Sequence, residues 1–376
     1  MRKIVGTVLA ATVVAGTLAT GTLGGVAPAD AGASQTTRER WDTRVFARVP
    51  KPGYPAFVYA HPNGRVFAGT YNNPAGDRIR SRVLEWTADG ALQRSWTVPG
   101  QDLETAHGVQ VATSDAHGRL VLLEKSTARA LMLDPRTGRF TRYATFADLP
   151  VCLPGESGGC SPNLVDKPAS PNFAAWGPRG ELYVTDYGQA VIWRVPPGGG
   201  AARVWLADRR LDGVEFGTTG LLLAPNRRAL LVAQQTSMGF GEANPATGKL
   251  YRIPIRDGRA AGLRLLWESL PGELPDGFGI GRSGRIYVAN AGLSAQLVVL
   301  DPSGEELERF PEVPLTGDNG SDIPFDTPSS ATFLGRRVLV ANQSFLGTGE
   351  NHAVLDVMVG ERGAPVLVPP NAGRRR

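Results

Sequence analysis

The residues of this chain best suited to chemistry stand at recurring positions. Asn172 follows Pro171 and precedes a short apolar run, Asp276 follows Pro275 and precedes another, and Thr219 stands at the comparable point between them. Asn and Asp offer hard oxygen ligands and Thr219 a hydroxyl; with water and neighbouring oxygens such a set approaches the roughly six to eight ligands that calcium prefers. His107 occupies the matching place in an earlier segment. As a neutral imidazole it could take a proton from a metal-bound water near neutral pH. Glu124 and Asp186 end comparable apolar runs and could orient ligands, hold His107 or serve as bases themselves. A divalent cation at Asn172, Thr219 and Asp276 would polarise a carbonyl and stabilise a developing oxyanion. The chemistry expected is hydrolysis of a lactone or related ester. The same spacing has a plainer reading, in which polar residues at strand starts satisfy turn backbone groups or bind ordered water.

These residues are carried by a repeating phrase: a polar residue, a short apolar strand, a Gly turn, a second apolar strand, then another polar residue. Pro275-Asp276-Gly277-Phe278-Gly279-Ile280 leading into Ile286-Tyr287-Val288-Ala289-Asn290 is one copy, and Pro171-Asn172-Phe173-Ala174-Ala175-Trp176 leading into Leu182-Tyr183-Val184-Thr185-Asp186 is another. Looser copies start near Tyr54, Ala106, Thr218 and Pro328. A unit of roughly 50 residues built from short strands and turns, without long amphipathic helical patterns, predicts an all-β chain folded as a six-bladed β-propeller of four-stranded antiparallel blades. Thr43 to Val49 reads as a strand that pairs with the last blade and closes the ring. An inner ring of Pro55, His107, Asn172, Thr219, Asp276 and Ser329 is expected at one channel mouth, beside a second ring of Thr70, Glu124, Asp186, Gln234, Asn290 and Asn342. Tyr54, Phe173, Phe278 and Ser329 could form a substrate wall, and His352 lies on a loop that could return to the mouth.

Residues 1–31 read as a secretory signal peptide: Arg2 and Lys3, an apolar run from Ile4 to Leu23, then small-residue cleavage sites. Residues 32–42 are expected to be flexible, 43–368 to form the propeller, and 369–376 to be a disordered basic tail. The mature protein is expected outside the cell, without stable membrane insertion. Export suits a disulfide between Cys152 and Cys160, in an insertion at Pro150 to Ser170 expected to overhang the channel mouth. Net charge is +5 with scattered basic residues, which excludes a nucleic-acid surface. There is no Gly-x-Ser-x-Gly elbow, phosphate loop or His-Glu-x-x-His zinc motif.

At Pro171-Asn172 with Leu182–Asp186, and at Pro275-Asp276-Gly277 with Ile286–Ala289, the chain resembles the senescence marker protein/gluconolactonase (regucalcin-like) family of six-bladed, calcium-dependent propellers. It is also similar in layout to paraoxonases and strictosidine synthase-like proteins. The resemblance spans roughly residues 45 to 368. In the gluconolactonase family calcium is held by a Glu at the first blade, an Asn at the third and an Asp at the fifth. The latter two correspond to Asn172 and Asp276; the first has no counterpart, because Gly53-Tyr54-Pro55-Ala56 carries no carboxylate. Ala106-His107-Gly108 looks like the His-Gly pair that supplies the proposed base of paraoxonases, whose fourth-blade Asn is Thr219 here. The resemblance implies a small-molecule lactone or ester substrate and a Ca²⁺ or related divalent cofactor. The rival reading is a non-catalytic propeller that binds a sugar, peptide or protein, or a synthase-like relative with different chemistry.

Overall fold

The computed structural model describes residues 38–156, 159–213, 216–236, 246–345 and 351–374. The expected signal peptide lies outside the described residues.

The alternating apolar runs and Gly, Asn and Asp turns form six sheets. The first blade is Val58–Ala60, Val66–Gly69, Arg82–Trp86 and Leu92–Thr97; the second is Val109–Ser114, Leu120–Glu124, Arg129–Asp134 and Arg139–Thr145. The third is Pro171–Trp176, Leu182–Asp186, Val191–Val195 and Arg203–Ala207, and the fourth is Thr218–Leu223, Ala229–Gln234, Thr247–Arg256 and Arg264–Pro271. Pro275–Ile280, Ile286–Asn290, Gln296–Leu300 and Glu306–Phe310 make the fifth; Pro328–Leu334, Arg337–Asn342 and Ala353–Met358 begin the sixth. The expected four strands per blade are exceeded twice. Gly200–Ala201 adds in parallel to the outer strand of the second blade, and Arg259–Ala260 adds to the fourth.

The closing strand is where the sequence reading puts it. Thr43–Arg48 pairs antiparallel with Ala353–Met358, Thr43 opposite Val357 and Arg48 opposite Ala353. First and last blade are thereby joined, and an edge that would otherwise offer unpaired N–H and C=O groups is covered. The residues just before it are anchored rather than flexible. Arg38 bonds Asp42 and Asp356, and Trp41 stacks on Phe310 at 4.6 Å. The expected basic tail is also packed as far as Gly373. Ala372 is fully buried, and Arg119 donates to the Gly373 carbonyl.

Apolar side chains fill the space between neighbouring blades, with Trp86, Trp176, Trp193, Tyr183, Tyr251 and Tyr287 among the largest that are fully buried. Burying one large aliphatic or aromatic side chain is worth about 1.5–3 kcal/mol, so this inter-blade packing holds the ring together. In each blade the start of the inner strand pairs with the end of the next: Val109 with Glu124, Pro171 with Asp186, Thr218 with Gln234, Pro275 with Asn290, Pro328 with Asn342. Both ends therefore lie on one face of the ring. Among the described residues no helix is long and apolar enough to cross a membrane.

Candidate functional site

Register decides which side chains reach the channel. In the third, fourth, fifth and sixth blades the pairing slips directly after that first pair, and the slip contains Asn172, Thr219, Asp276 and Ser329. A bulge of this kind re-aims one side chain. In the second blade the residue after the Glu124 partner is Gln110, not His107, and its slip falls later, between Val111 and Thr113. By the same count the first-blade member is Ala56 rather than Pro55, since Val58 pairs with Ala68. The inner ring is thus Ala56, Gln110, Asn172, Thr219, Asp276 and Ser329.

His107 sits outside this ring, fully buried. Its Nδ1 lies 2.9 Å from the Thr105 carbonyl and its Nε2 2.9 Å from the Ile79 carbonyl, with Asp77 at 3.8 Å. Both ring nitrogens face main chain and neither addresses the channel. The expected role of His107 as the water-activating base is therefore corrected to that of a clamp between two loops. The likeness of Ala106-His107-Gly108 to the paraoxonase pair fails on the same geometry. His61 is buried against Tyr59 and Phe67.

The second ring is corrected as well. Glu124 accepts from the main chain and hydroxyl of Ser126 and from Thr127, and Arg129 lies 3.5 Å away. Asp186 Oδ1 accepts the main-chain N–H groups of Ser170, Gly188 and Gln189, while Oδ2 accepts the Trp193 indole at 2.7 Å. Burial raises the Asp186 pKa even so. Thr70, Gln234 and Asn342 bond the turns beside them in the same manner. These side chains bracket the turn that follows each second strand. Glu124 and Asp186 are spent on it, and neither is free to orient a ligand or to act as a base.

The channel instead receives residues one place further on. Tyr71 follows Thr70, Lys125 follows Glu124, Tyr187 follows Asp186 and Gln235 follows Gln234. Gln235 Nε2 donates to Asp276 Oδ2 at 3.1 Å, and the Tyr187 hydroxyl donates to Gln235 Oε1 at 3.1 Å. Thr219 donates to the Pro275 carbonyl at 3.3 Å and lies beside Asp276. Burial pushes the Asp276 carboxyl well above the usual carboxylate range, against the opposing effect of Thr219 and the Gly277 N–H. The Tyr71 hydroxyl lies beside the Gln110 amide, and burial raises its pKa too. Lys125 Nζ stands 6.0 Å from the Tyr71 ring centre and 5.9 Å from that of Tyr187. Burial alone pushes this ammonium down. A carboxyl raised and an ammonium lowered at one mouth of a channel is the electrostatic pattern of a functional site.

Two buried acceptors of the inner ring have no partner, Asn172 Oδ1 and Gln110 Oε1. Unpaired buried oxygens are costly and call for an explanation. With the Asp276 carboxylate and the Thr219 hydroxyl they form an oxygen-only donor set, which suits a hard cation such as calcium and not zinc. The set has one carboxylate. Among the described residues no group of three or more His, Cys, Asp or Glu is arranged to hold a metal.

The expected substrate wall divides. Tyr54 and His352 meet at 4.1 Å, with Phe345 stacked on Tyr54 at 5.3 Å, beside Ala56 and Tyr71. Burial lowers the His352 pKa, and its Nε2 is buried without a partner. Ser329 is committed to the fold, because its hydroxyl donates to the Ala56 carbonyl at 2.8 Å and fastens the sixth blade to the first. Phe173 packs edge-on against Phe57 at 4.8 Å. A Cβ at Gly277 would fall 2.9 Å from Phe173, and one at Gly220 2.8 Å from Phe278, so these glycines make room for the two rings across the middle of the channel. The disulfide between Cys152 and Cys160 is formed. Its insertion lies on the polar face, where Asn163 donates to the Gly188 carbonyl and Leu149 N–H to Gln189.

No protein-family model matches the sequence, and no curated protein matches it. Solved structures do match the fold. A protein described as a putative gluconolactonase superimposes with a TM-score of 0.55 at 18% identity, over 86% of this chain and 93% of that one. A calcium-binding protein, regucalcin, from Agrobacterium tumefaciens gives 0.54 at 15% identity, over 88% and 98%. A luciferin-regenerating enzyme gives 0.55 at 12% identity, over 86% and 98%. At these identities the likeness shows the shared six-bladed propeller. It does not extend to features particular to paraoxonases or strictosidine synthase-like proteins.

Proposed function

We propose that the polar end of the channel binds and hydrolyses a small lactone or related ester. One observation carries the reading: Asp276 is buried with no cation against it among the described residues, and two amide oxygens of the same ring, Asn172 Oδ1 and Gln110 Oε1, are unpartnered. The gluconolactonase and regucalcin neighbours support a small-molecule substrate and a calcium site in this fold. Asp276, Asn172, Gln110 and Thr219 would hold the divalent ion, calcium by their chemistry, and when bound it supplies the positive charge that polarises a carbonyl. Asp276, the carboxylate of the inner ring, would take a proton from water, and Gln235, itself held by Tyr187, fixes its orientation. Lys125, framed by Tyr71 and Tyr187, supplies the cation that would receive an anionic group on the substrate. The Phe57–Phe173 pair would form the apolar floor of the site, and Tyr54 and His352 its mouth. We further infer export of the chain, supported by the apolar run from Ile4 to Leu23 and by the formed disulfide.

A binding propeller without catalysis is the second reading, and a specific position favours it: Ala56 stands where the ring lacks a first-blade carboxylate. The test is a panel of γ- and δ-lactones and aryl esters assayed with and without Ca²⁺. Turnover that falls at least about a hundredfold in Asp276→Ala, a loss typical of a base, supports the hydrolase. Ion binding without any turnover across the panel supports the binding protein.

A further inference from the structure

The other end of the channel holds a second cavity, of about 340 Å³. The far ends of all six inner strands line it, through Tyr59, Ala112, Ala174, Leu222, Phe278 and Ala331 in blade order. It is hollow because those strands place alanine and glycine where bulkier residues would meet. A Cβ at Gly279 would lie 2.8 Å from the Ala331 carbonyl, so the inner strands of the fifth and sixth blades approach closely there. The size is that of a small-molecule site, and the lining is predominantly apolar.

The C-terminal segment forms its roof. The Arg362 carbonyl accepts from Arg282 N–H at 2.8 Å, and Ala364 N–H donates to the Ile280 carbonyl at 2.8 Å. The chain then crosses from the fifth blade to the second and third, where Asn371 donates to the Arg179 carbonyl and Arg119 to that of Gly373. Between these anchors Pro365 to Val368 lie over the cavity. The charged side chains among its described lining residues are Arg282 and Arg362, both exposed at the rim. Glu361, the adjacent carboxylate, is already held by Ser283 and Tyr287.

The geometry points to a second ligand site, distinct from the polar end, that takes an amphiphilic monocarboxylate of medium chain length. The apolar tail lies among the alanines and Phe278, under the Pro365–Val368 strap, and the carboxylate meets the Arg282 and Arg362 guanidinium groups. Gln110, Asn172, Thr219 and Asp276 do not line this cavity, so this inference does not rest on the hydrolase reading.

Isothermal titration of the full chain with decanoate, below its aggregation concentration, and with decanol tests it. One-to-one saturable binding of decanoate is expected, at least tenfold tighter than decanol. The double variant Arg282→Ser/Arg362→Ser, which alters exposed side chains alone, should lose that preference while still binding decanol. Ala331→Phe should abolish binding of both by filling the cavity, and Asp276→Ala should leave both unchanged. Absence of saturable decanoate binding to the unmodified chain overturns the proposal. So does a preference for decanoate that survives loss of both arginines.

Discussion

Asp186 and Asp276 show how little residue type decides by itself. Burial raises both carboxyls. Asp186 receives three main-chain N–H groups and an indole, so it is a bracket. Asn in its place would turn an NH₂ toward a donor, and Asp186→Asn is expected to cost about 1–3 kcal/mol in denaturant unfolding. Asp276 is held by Gln235 rather than by a cation among the described residues, and its linkage runs the other way from a salt-bridged acid. Because its folded pKa is raised, the stability it contributes is full below the unfolded value of about 3.9 and is lost as pH rises through the raised value. Asp276→Asn should therefore melt higher than the unmodified chain at about pH 8 in chelator, with the gap closing near pH 3.5. Scanning calorimetry at the two pH values checks this. Lys125→Met should raise KM for an anionic lactone by about tenfold or more, the worth of one charge-assisted contact, with little change for a neutral one. His107→Phe should lower stability by about 1–3 kcal/mol, through loss of the ring's hydrogen bonding to the Thr105 and Ile79 main chain, and leave the pH profile of turnover in place.

At the scale of strands, the repeat was readable because its apolar runs, Gly turns and terminal polar residues recur in order. The two clearest copies contain Asn172 and Asp276, which fall in the register slip after Pro171 and Pro275. Which neighbouring residue faces the channel was not readable, because a one-residue slip reverses every side chain. The structure supplies that slip as a bulge holding Asn172, Thr219, Asp276 and Ser329. Without it, His107 stood in for Gln110, and Glu124 and Asp186 stood in for Lys125 and Tyr187. A signal was present in the dipeptides Thr70-Tyr71, Glu124-Lys125, Asp186-Tyr187 and Gln234-Gln235: a turn-capping residue followed by a large polar or aromatic one. The bulge register also makes a constructive prediction. Ala56 is the ring position without an oxygen donor on its side chain, so Ala56→Glu should melt below the unmodified chain in chelator. With millimolar Ca²⁺ it should recover, and bind the ion at least about tenfold tighter, as expected for an added carboxylate ligand.

For the whole molecule, the ring depends on one strand contributed from the other end of the chain. Removing residues 1–37 leaves the closing strand and its Arg38 and Trp41 anchors intact. Removing residues 1–48 opens the ring between its first and last blades. The longer truncation is expected to abolish a single cooperative calorimetric transition, and the shorter one to preserve it. Ring closure was legible from Thr43 to Val49 because a strand-like run stood before the first repeat with no other partner. The packing of residues 369–373 was not, because Arg374-Arg375-Arg376 reads as a solvated end while the contact is made by a small buried residue, Ala372. The closed ring brings inner strands distant in sequence to one channel mouth, and that convergence is what the central claim uses.

The measurement that tests this claim most directly is thermal unfolding of the chelated protein against increasing Ca²⁺, with Asp276→Ala in parallel. Binding to the folded state raises Tm as ligand exceeds Kd. The expected result is a Tm that climbs with Ca²⁺ in the unmodified chain and stays level in Asp276→Ala. A level Tm in both, or an equal rise in both, would contradict an ion site built on Asp276, Asn172 and Gln110.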